Sequence, residues 1–248
     1  MKVIVDGLAT NYLDEGHGPT ILMLHGWANT LHSFDAIMPA LAKGHRLVRV
    51  DLPGFGGTEM PRDTWDVKAY ARFVRNFCEK IGFAPDIIIG HSLGGRIAVK
   101  GLASNIFSTK KIVLIASAGV AERNTPRIKF YKFLAKIGKI ILAPLPSVWY
   151  EKARQALYHQ TGGDYLTVGS MKSTFIKVIA EDLSEDAKCV SVPTLLIWGA
   201  IDVVTPIEEG RRLHALMPDS KLESIAFAGH FVHQEKPQET NKLILGFL

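Results

Sequence analysis

Residues 87–101 read IIIGHSLGGRIAVKG. Three isoleucines run into a glycine, a serine follows two residues later, and two more glycines stand where a helix should begin. An unbroken run of branched apolar residues suits a strand buried on both faces. Glycine is a poor helix residue unless the backbone needs the space. The stretch therefore predicts a strand, a sharp turn and a helix, with the glycines serving the turn. Gly90, His91, Ser92, Leu93 and Gly94 form G-x-S-x-G. A serine at such a turn is forced toward positive φ. Its neighbours two residues away on each side collide unless they lack a β-carbon, which accounts for Gly90 and Gly94. A hydroxyl is thereby raised off the backbone at the end of a strand. The free N–H groups and positive dipole end of the helix point to the same place. In this strand–turn–helix setting the pattern marks a nucleophile.

Outward from this turn the chain alternates. KVIV and ATNYLDEG read as short opening strands, TILMLHG (20–26) as a buried strand, and SFDAIMPALAKG as a short helix closed by Gly44. HRLVRVDLPGFGGT is a strand that breaks into a glycine-rich turn, and the spacing of Val67, Tyr70, Phe73, Val74, Phe77 and Ile81 fits one face of a helix over 66–81. KKIVLIASAG (110–119) is another strand. Helical patterns alone fill 120–187. Alternation then resumes with VPTLLIWG (192–199), a helix at about 206–217, KLESIA (221–226) and a last helix from about 236. Buried strands alternating with helices predict a mostly parallel sheet covered on both faces. Residues 1–119 and 188–248 are expected to form the core, and 120–187 a helical cap inserted between two strands. In such sheets the ligand crevice lies beyond the carboxyl ends of the strands.

A serine hydroxyl needs a base, and the base needs an orienting acid. Of the nine histidines, His17, His32, His45, His159 and His214 lie in loops or helix-like segments without supporting motifs. His91 adjoins Ser92, but consecutive residues across a tight turn point apart. His230, in FAGHF after the strand KLESIA, lies on the same sheet edge as Ser92, and His233 is its rival. The acid should also follow a strand. Asp202, in LLIWGAIDVVTP, leads. Asp51, ending RLVRVD, is better suited to holding the amides of the following glycine turn, and Glu122 stands too far along. An oxyanion needs two donors. The N–H of Leu93 is one, and a bend at His25-Gly26 turns the N–H of Trp27 toward Ser92 as the other. A metal site from His25, His230 and His233 lacks any supporting carboxylate or cysteine cluster. No metal and no cofactor are expected.

Composition bounds the remaining possibilities. At 248 residues, 47% hydrophobic and 21% charged, the chain can bury the core of one large α/β domain. No apolar run reaches the roughly 20 residues of a membrane helix, and the opening MKVIVDGLATNYLDEG does not read as a signal peptide. Cys78 and Cys189 match no metal or redox spacing and are expected as two buried thiols in a cytoplasmic protein. The formal net charge is +5, yet residues 121–160 hold eight Lys or Arg against two acids and are +6 by themselves, leaving −1 for the rest. A nucleic-acid reading of the whole chain is therefore weak. Within that segment, PRIKFYKFLAKIGKIILAP is amphipathic if helical. Lys129, Lys132, Lys136 and Lys139 share one face, and Phe130, Phe133, Leu134, Ile137 and Ile141 share the other. The apolar stripe is expected to face the site. The lysines either meet solvent or form a weak docking face for an acidic partner or an anionic surface.

Taken together, HGW, DLPGFGGT, GHSLGG, LLIWGAID and GHFVHQEKP, in this order and with these gaps, resemble the α/β-hydrolase superfamily over nearly the whole chain. The resemblance implies an eight-stranded sheet with a helical lid between its sixth and seventh strands. It also implies a Ser92–Asp202–His230 triad and an oxyanion hole from Trp27 and Leu93. A serine nucleophile is unlike the haloalkane dehalogenase and epoxide hydrolase branches. The chain looks most similar to small capped carboxylesterases, which implies an ester substrate, and an apolar lid over the serine favours small or medium apolar acyl or alcohol groups. C–C bond hydrolases, lactonases, cofactor-free haloperoxidases and the pimeloyl-carrier-protein methyl ester esterase share the same motifs, so C–C bond, lactone or thioester hydrolysis on the same triad is one alternative, and a small-molecule receptor on a hydrolase scaffold is the alternative from another class. His25, Phe130, Phe133, Leu134 and Ile137 are the expected pocket residues.

Overall fold

The computed structural model of the protein describes residues 1–117, 119–120 and 169–248. Among them are eight strands: β1 (Lys2–Val5), β2 (Leu8–Glu15), β3 (Thr20–Leu24), β4 (Arg46–Val50), β5 (Ile87–His91), β6 (Lys111–Ile115), β7 (Thr194–Gly199) and β8 (Ser220–Ile225). They form one sheet in the order β1-β2-β4-β3-β5-β6-β7-β8. β2 pairs antiparallel with both β1 and β4, and every pairing from β4 across to β8 is parallel. The helices are α1 (Met38–Leu41), α2 (Val67–Ile81), α3 (Leu93–Ala103), α4 (Lys172–Ala180), α5 (Ser184–Lys188), α6 (Ile207–Leu216), α7 (Val232–Glu235) and α8 (Pro237–Phe247). This is the α/β-hydrolase fold expected from the sequence.

The unbroken apolar strands are explained by burial on both faces. Leu22, Leu24, Ile88, Ile112, Leu114, Leu196 and Trp198 pack with Phe73 and Phe77 of α2, Ile97 of α3 and Leu213 of α6. Their strand neighbours Ile21, Met23, Ile87, Ile89, Val113, Ile115, Leu195 and Ile197 pack on the opposite layer with Phe34, Ile37, Leu41 and Ile244. Each fully buried side chain of this kind contributes roughly 1.5–3 kcal/mol of transfer free energy. Helix α2 has a local start and stop: the Asp66 carboxylate accepts from the Ala69 N–H at 2.7 Å, and Gly82 closes the helix at φ 76°.

Two local expectations need correction. SFDAIMPALAKG holds only the four-residue α1, with a separate 3-10 turn at Leu31–Phe34. The last helix, expected from about 236, runs from Pro237 as α8, with the short α7 before it. Cys189 is exposed, because it caps the end of α5, whereas Cys78 is buried in α2 and its thiol is pushed up to about 12 by that burial.

The described ends of the stretch between β6 and β7 meet. The Leu183 N–H donates to the Gly119 carbonyl at 2.9 Å. The Arg96 guanidinium of α3, 5% exposed, donates to the carbonyls of Val178 and Glu181 at 2.6 and 2.5 Å, satisfying the last turn of α4. Lys100, one turn further along α3, bridges Glu181 and Asp186 at 2.9 and 2.7 Å. α4 and α5 thus rest on the helix that begins at Ser92.

Candidate active site

Ser92 stands between β5 and α3 with φ 49° and ψ −107°, the positive φ predicted for it. Such a conformation costs a non-glycine residue on the order of 1–3 kcal/mol and persists only when its surroundings enforce it. The enforcement is steric. A β-carbon on Gly94 would lie 1.9 Å from the Leu24 carbonyl oxygen of β3, and one on Gly90 would lie 2.6 Å from the Gly94 carbonyl. Both glycines are therefore demanded by close approach. Leu93 opens α3, so its N–H has no acceptor within the helix. Ser92 itself is half-buried.

Asp202 lies in the turn after β7 and His230 in the loop after β8. These loops are brought together by Gly199, where a β-carbon would lie 2.2 Å from the Gly229 carbonyl oxygen. His230 Nδ1 meets Asp202 Oδ2 at 2.8 Å, with the carboxylate fully buried and the imidazole 10% exposed. A carboxylate oxygen accepts, so Nδ1 donates to it and Nε2 is the ring nitrogen left uncommitted to the carboxylate. Three further donors fix the carboxylate: the N–H groups of Val204 and Thr205 on Oδ1 at 2.8 and 2.9 Å, and the Thr205 hydroxyl on Oδ2 at 2.8 Å. The Thr205 oxygen is also 3.1 Å from His230 Nδ1 and 3.2 Å from the Ala116 carbonyl, which ties the turn to the end of β6.

The turn after β3 completes this edge. A β-carbon on Gly26 would lie 3.3 Å from Ser92 Cβ and 2.8 Å from His91 Nδ1, so the His25-Gly26-Trp27 turn abuts the serine turn. Trp27 is half-buried and packs edge-on against Phe55 at 4.9 Å and tilted against Phe175 of α4 at 4.8 Å. His25, expected to line the pocket, does not do so. It is fully buried, with Nδ1 2.7 Å from its neighbour's carbonyl at Gly26 and Nε2 accepting the Leu52 N–H at 2.9 Å. Burial lowers its pKa to about 4, against the opposing pull of that carbonyl and of Asp51. A neutral ring committed on both nitrogens braces the turn instead of meeting substrate. Asp51 has the role expected of it, with Oδ2 accepting from the Gly57 N–H and the Asn11 amide, both at 2.8 Å, and Oδ1 from the Leu31 N–H at 2.7 Å.

The structure thus brings Ser92, Leu93, Gly90, Gly94, Trp27, Asp202 and His230 to one sheet edge. His233 lies behind it, fully buried beside Phe34 and His91. His32, His45 and His214 are bonded locally, to Asp35, Leu41 and Ser220. Phe130, Phe133, Leu134, Ile137 and Ile141, and Lys129, Lys132, Lys136 and Lys139, lie outside the described residues. Among those described, no three His, Cys, Asp or Glu converge as metal ligands. Two residues of the site escaped sequence reading. Thr205 had a local signal in the D-x-x-T spacing of DVVT, typical of a side chain bonding back into its own turn. His91 had none, since its partner is 139 residues away.

The sequence model of the alpha/beta hydrolase family matches residues 21–243. The uncharacterized hydrolase YugF of Bacillus subtilis is 29% identical, the match covering all of this chain and 97% of that one. The human monoacylglycerol lipase ABHD6 is 26% identical over 94% of this chain and 76% of its own length. Among solved structures, an esterase from Exiguobacterium antarcticum superposes with a TM-score of 0.76 at 22% identity, covering 99% of this chain and 98% of that one.

Proposed function

Because the chain belongs to the alpha/beta hydrolase family, we propose that it is a serine hydrolase that cleaves carboxylic esters of small or medium apolar groups through an acyl-enzyme. The observation carrying this reading is the buried Asp202–His230 pair, at 2.8 Å, on the same sheet edge as the strained Ser92. Ser92 Oγ attacks the ester carbonyl carbon while His230 Nε2 takes its proton. Asp202 holds the opposite ring nitrogen and offsets the charge that forms. The tetrahedral oxyanion accepts hydrogen bonds from the N–H groups of Leu93 and Trp27, each donor worth about 3–4 kcal/mol of transition-state stabilisation. Collapse expels the alcohol, which leaves with the proton from His230. Water, deprotonated by His230, then attacks the acyl-enzyme, and the carboxylic acid departs as Ser92 regains its proton.

The surroundings support an apolar substrate. Ile201, Val203, Val204, Phe227 and Phe231 are exposed on the two loops that carry Asp202 and His230. The Trp27–Phe55–Phe175 cluster borders the serine turn on the other side. Residues 120–187 act as a cap over the serine in this reading, and Phe175 is the described part of it that touches Trp27. Acylglycerol cleavage by the lipase relative is an ester hydrolysis of the same class.

The test is a hydrolysis screen over esters of graded acyl length, lactones and thioesters. Ser92→Ala should lose about 10⁶-fold in kcat while remaining folded. His230→Ala should be severely impaired, and His233→Ala should retain turnover. An active Ser92→Ala protein, or an inactive His233→Ala beside an active His230→Ala, overturns the assignment.

A further inference from the structure

His91 precedes the serine and has no role in the steps above. It is 1% exposed, and its Nε2 lies 3.0 Å from the backbone carbonyl of His230. A carbonyl only accepts, so Nε2 bears the hydrogen and Nδ1 is bare. The Nδ1 edge has no hydrogen-bond partner and lies against Gly26, where a β-carbon would sit 2.8 Å away. The ring is tilted against His230 at 4.9 Å and Phe231 at 5.3 Å, with His233 at 4.7 Å behind it. One imidazole thus touches the loop of the base and the turn carrying Trp27, and is bonded in sequence to the nucleophile. Burial, followed by the neighbouring His233 and His230, holds its pKa well below the ordinary histidine value. The ring stays a neutral donor while His230 gains a proton.

Building on the serine-hydrolase reading, we propose that His91 is a positioning residue for the base. Its Nε2–H anchors the main chain of His230, and its ring sets the spacing between the base, the nucleophile and the Gly26 turn. A buried carbonyl robbed of its donor is costly, and the loop carrying it relaxes to find another. A ring that merely fills space would be replaceable by any apolar side chain of similar length.

Two variants separate these roles. His91→Gln keeps an N–H donor at similar reach, and His91→Met keeps the length without the donor. Each is titrated with a fluorophosphonate that labels Ser92, and kcat, KM and the phosphonylation rate are expressed per titrated site. The expected result is a 10- to 30-fold fall, roughly, in kcat and phosphonylation rate for His91→Met, with KM within about three-fold and titration near full, and recovery to within about five-fold in His91→Gln. Equal rates for wild type and His91→Met overturn the proposal. So does a loss confined to the titratable fraction, which would mark a packing role. Nitrogen-15 histidine NMR of the wild type supplies an arm independent of variant folding. His91 should carry its proton on Nε2 at neutral pH and keep that neutral tautomer as the pH is lowered through the ordinary histidine range, and a protonated Nδ1 overturns the proposal. A wild type that does not react with the phosphonate, or an active Ser92→Ala protein, brings down the serine-hydrolase reading itself.

Discussion

Gly94→Ala puts the geometry of the serine turn under direct test. The added methyl would lie 1.9 Å from the Leu24 carbonyl oxygen, 2.5 Å from its carbon and 2.8 Å from Leu24 Cβ. Carbon and oxygen rest at about 3.3 Å or more, so the helix and the strand must separate by roughly 1.4 Å. Backbone surrounds the clash, and no rotamer can relieve it. If α3 retreats, it carries the Leu93 N–H and Ser92 with it. If β3 retreats, the Gly26 turn and Trp27 move instead. Either movement opens the distance between nucleophile and oxyanion donors by about 1 Å, a misplacement worth on the order of 10²-fold in rate. Overpacking of this kind costs typically 1–3 kcal/mol, which for a chain of this size lowers Tm by roughly 2–12 °C. The assay pairs thermal melting with the rate of phosphonylation at Ser92. Gly246→Ala is the control, since a β-carbon there meets nothing within 4 Å and a helical alanine should stabilise by about 0.5–1 kcal/mol. A Gly94→Ala protein that melts within a degree of wild type and reacts within three-fold of its rate, roughly, refutes the steric account.

Thr205→Val removes a hydroxyl that donates to Asp202 Oδ2 at 2.8 Å. It should lower kcat by about 10-fold at unchanged KM, with Thr205→Ser restoring most of the rate in the same steady-state assay. His233 makes stability pH-dependent. Burial and the nearby His230 lower its pKa to about 3 from 6.5, so the folded protein resists a proton that the unfolded chain accepts. The contribution is complete above pH 6.5 and declines as the pH falls toward 3. Urea titrations at pH 7 and 4.5 should therefore show a stability loss in His233→Leu smaller than that of wild type by roughly 2–3 kcal/mol. Equal losses in the two proteins would remove His233 from the acid response.

The parts legible in the sequence were those encoded by neighbours in the chain. Gly90 and Gly94 announce the serine turn because the collisions they avoid are local to it, and Asp202 and His230 follow recognisable strands by a few residues. Asp51 was readable for the same reason, lying just before the glycine turn that it holds. What was missed depends on contacts across the fold. The burial of His25 is set by the Leu52 N–H on the next strand's loop, and the bond from His91 spans 139 residues. Gly199 reads as a strand end, yet its lack of a side chain is what lets the loop of His230 reach that of Asp202. The exposure of Cys189 follows from where the short α5 ends, which composition does not set.

The bond between Leu183 and Gly119 has a consequence for how such an enzyme can diversify. Two points 64 residues apart are joined by one hydrogen bond, a doorway whose two posts stand side by side. The entropy of closing such a loop grows only with the logarithm of its length, about 0.6 kcal/mol for each doubling. A segment of quite different length could therefore be exchanged at that doorway at small entropic cost to the eight-stranded scaffold, provided that it keeps the core contacts of Val120, Met171, Phe175 and Val178. Ser92, Asp202 and His230 all lie outside it. Selectivity and chemistry would then be separately heritable, and a chimera carrying a foreign segment between Gly119 and Leu183 should keep a phosphonate-reactive Ser92 while adopting the donor's preference for acyl length.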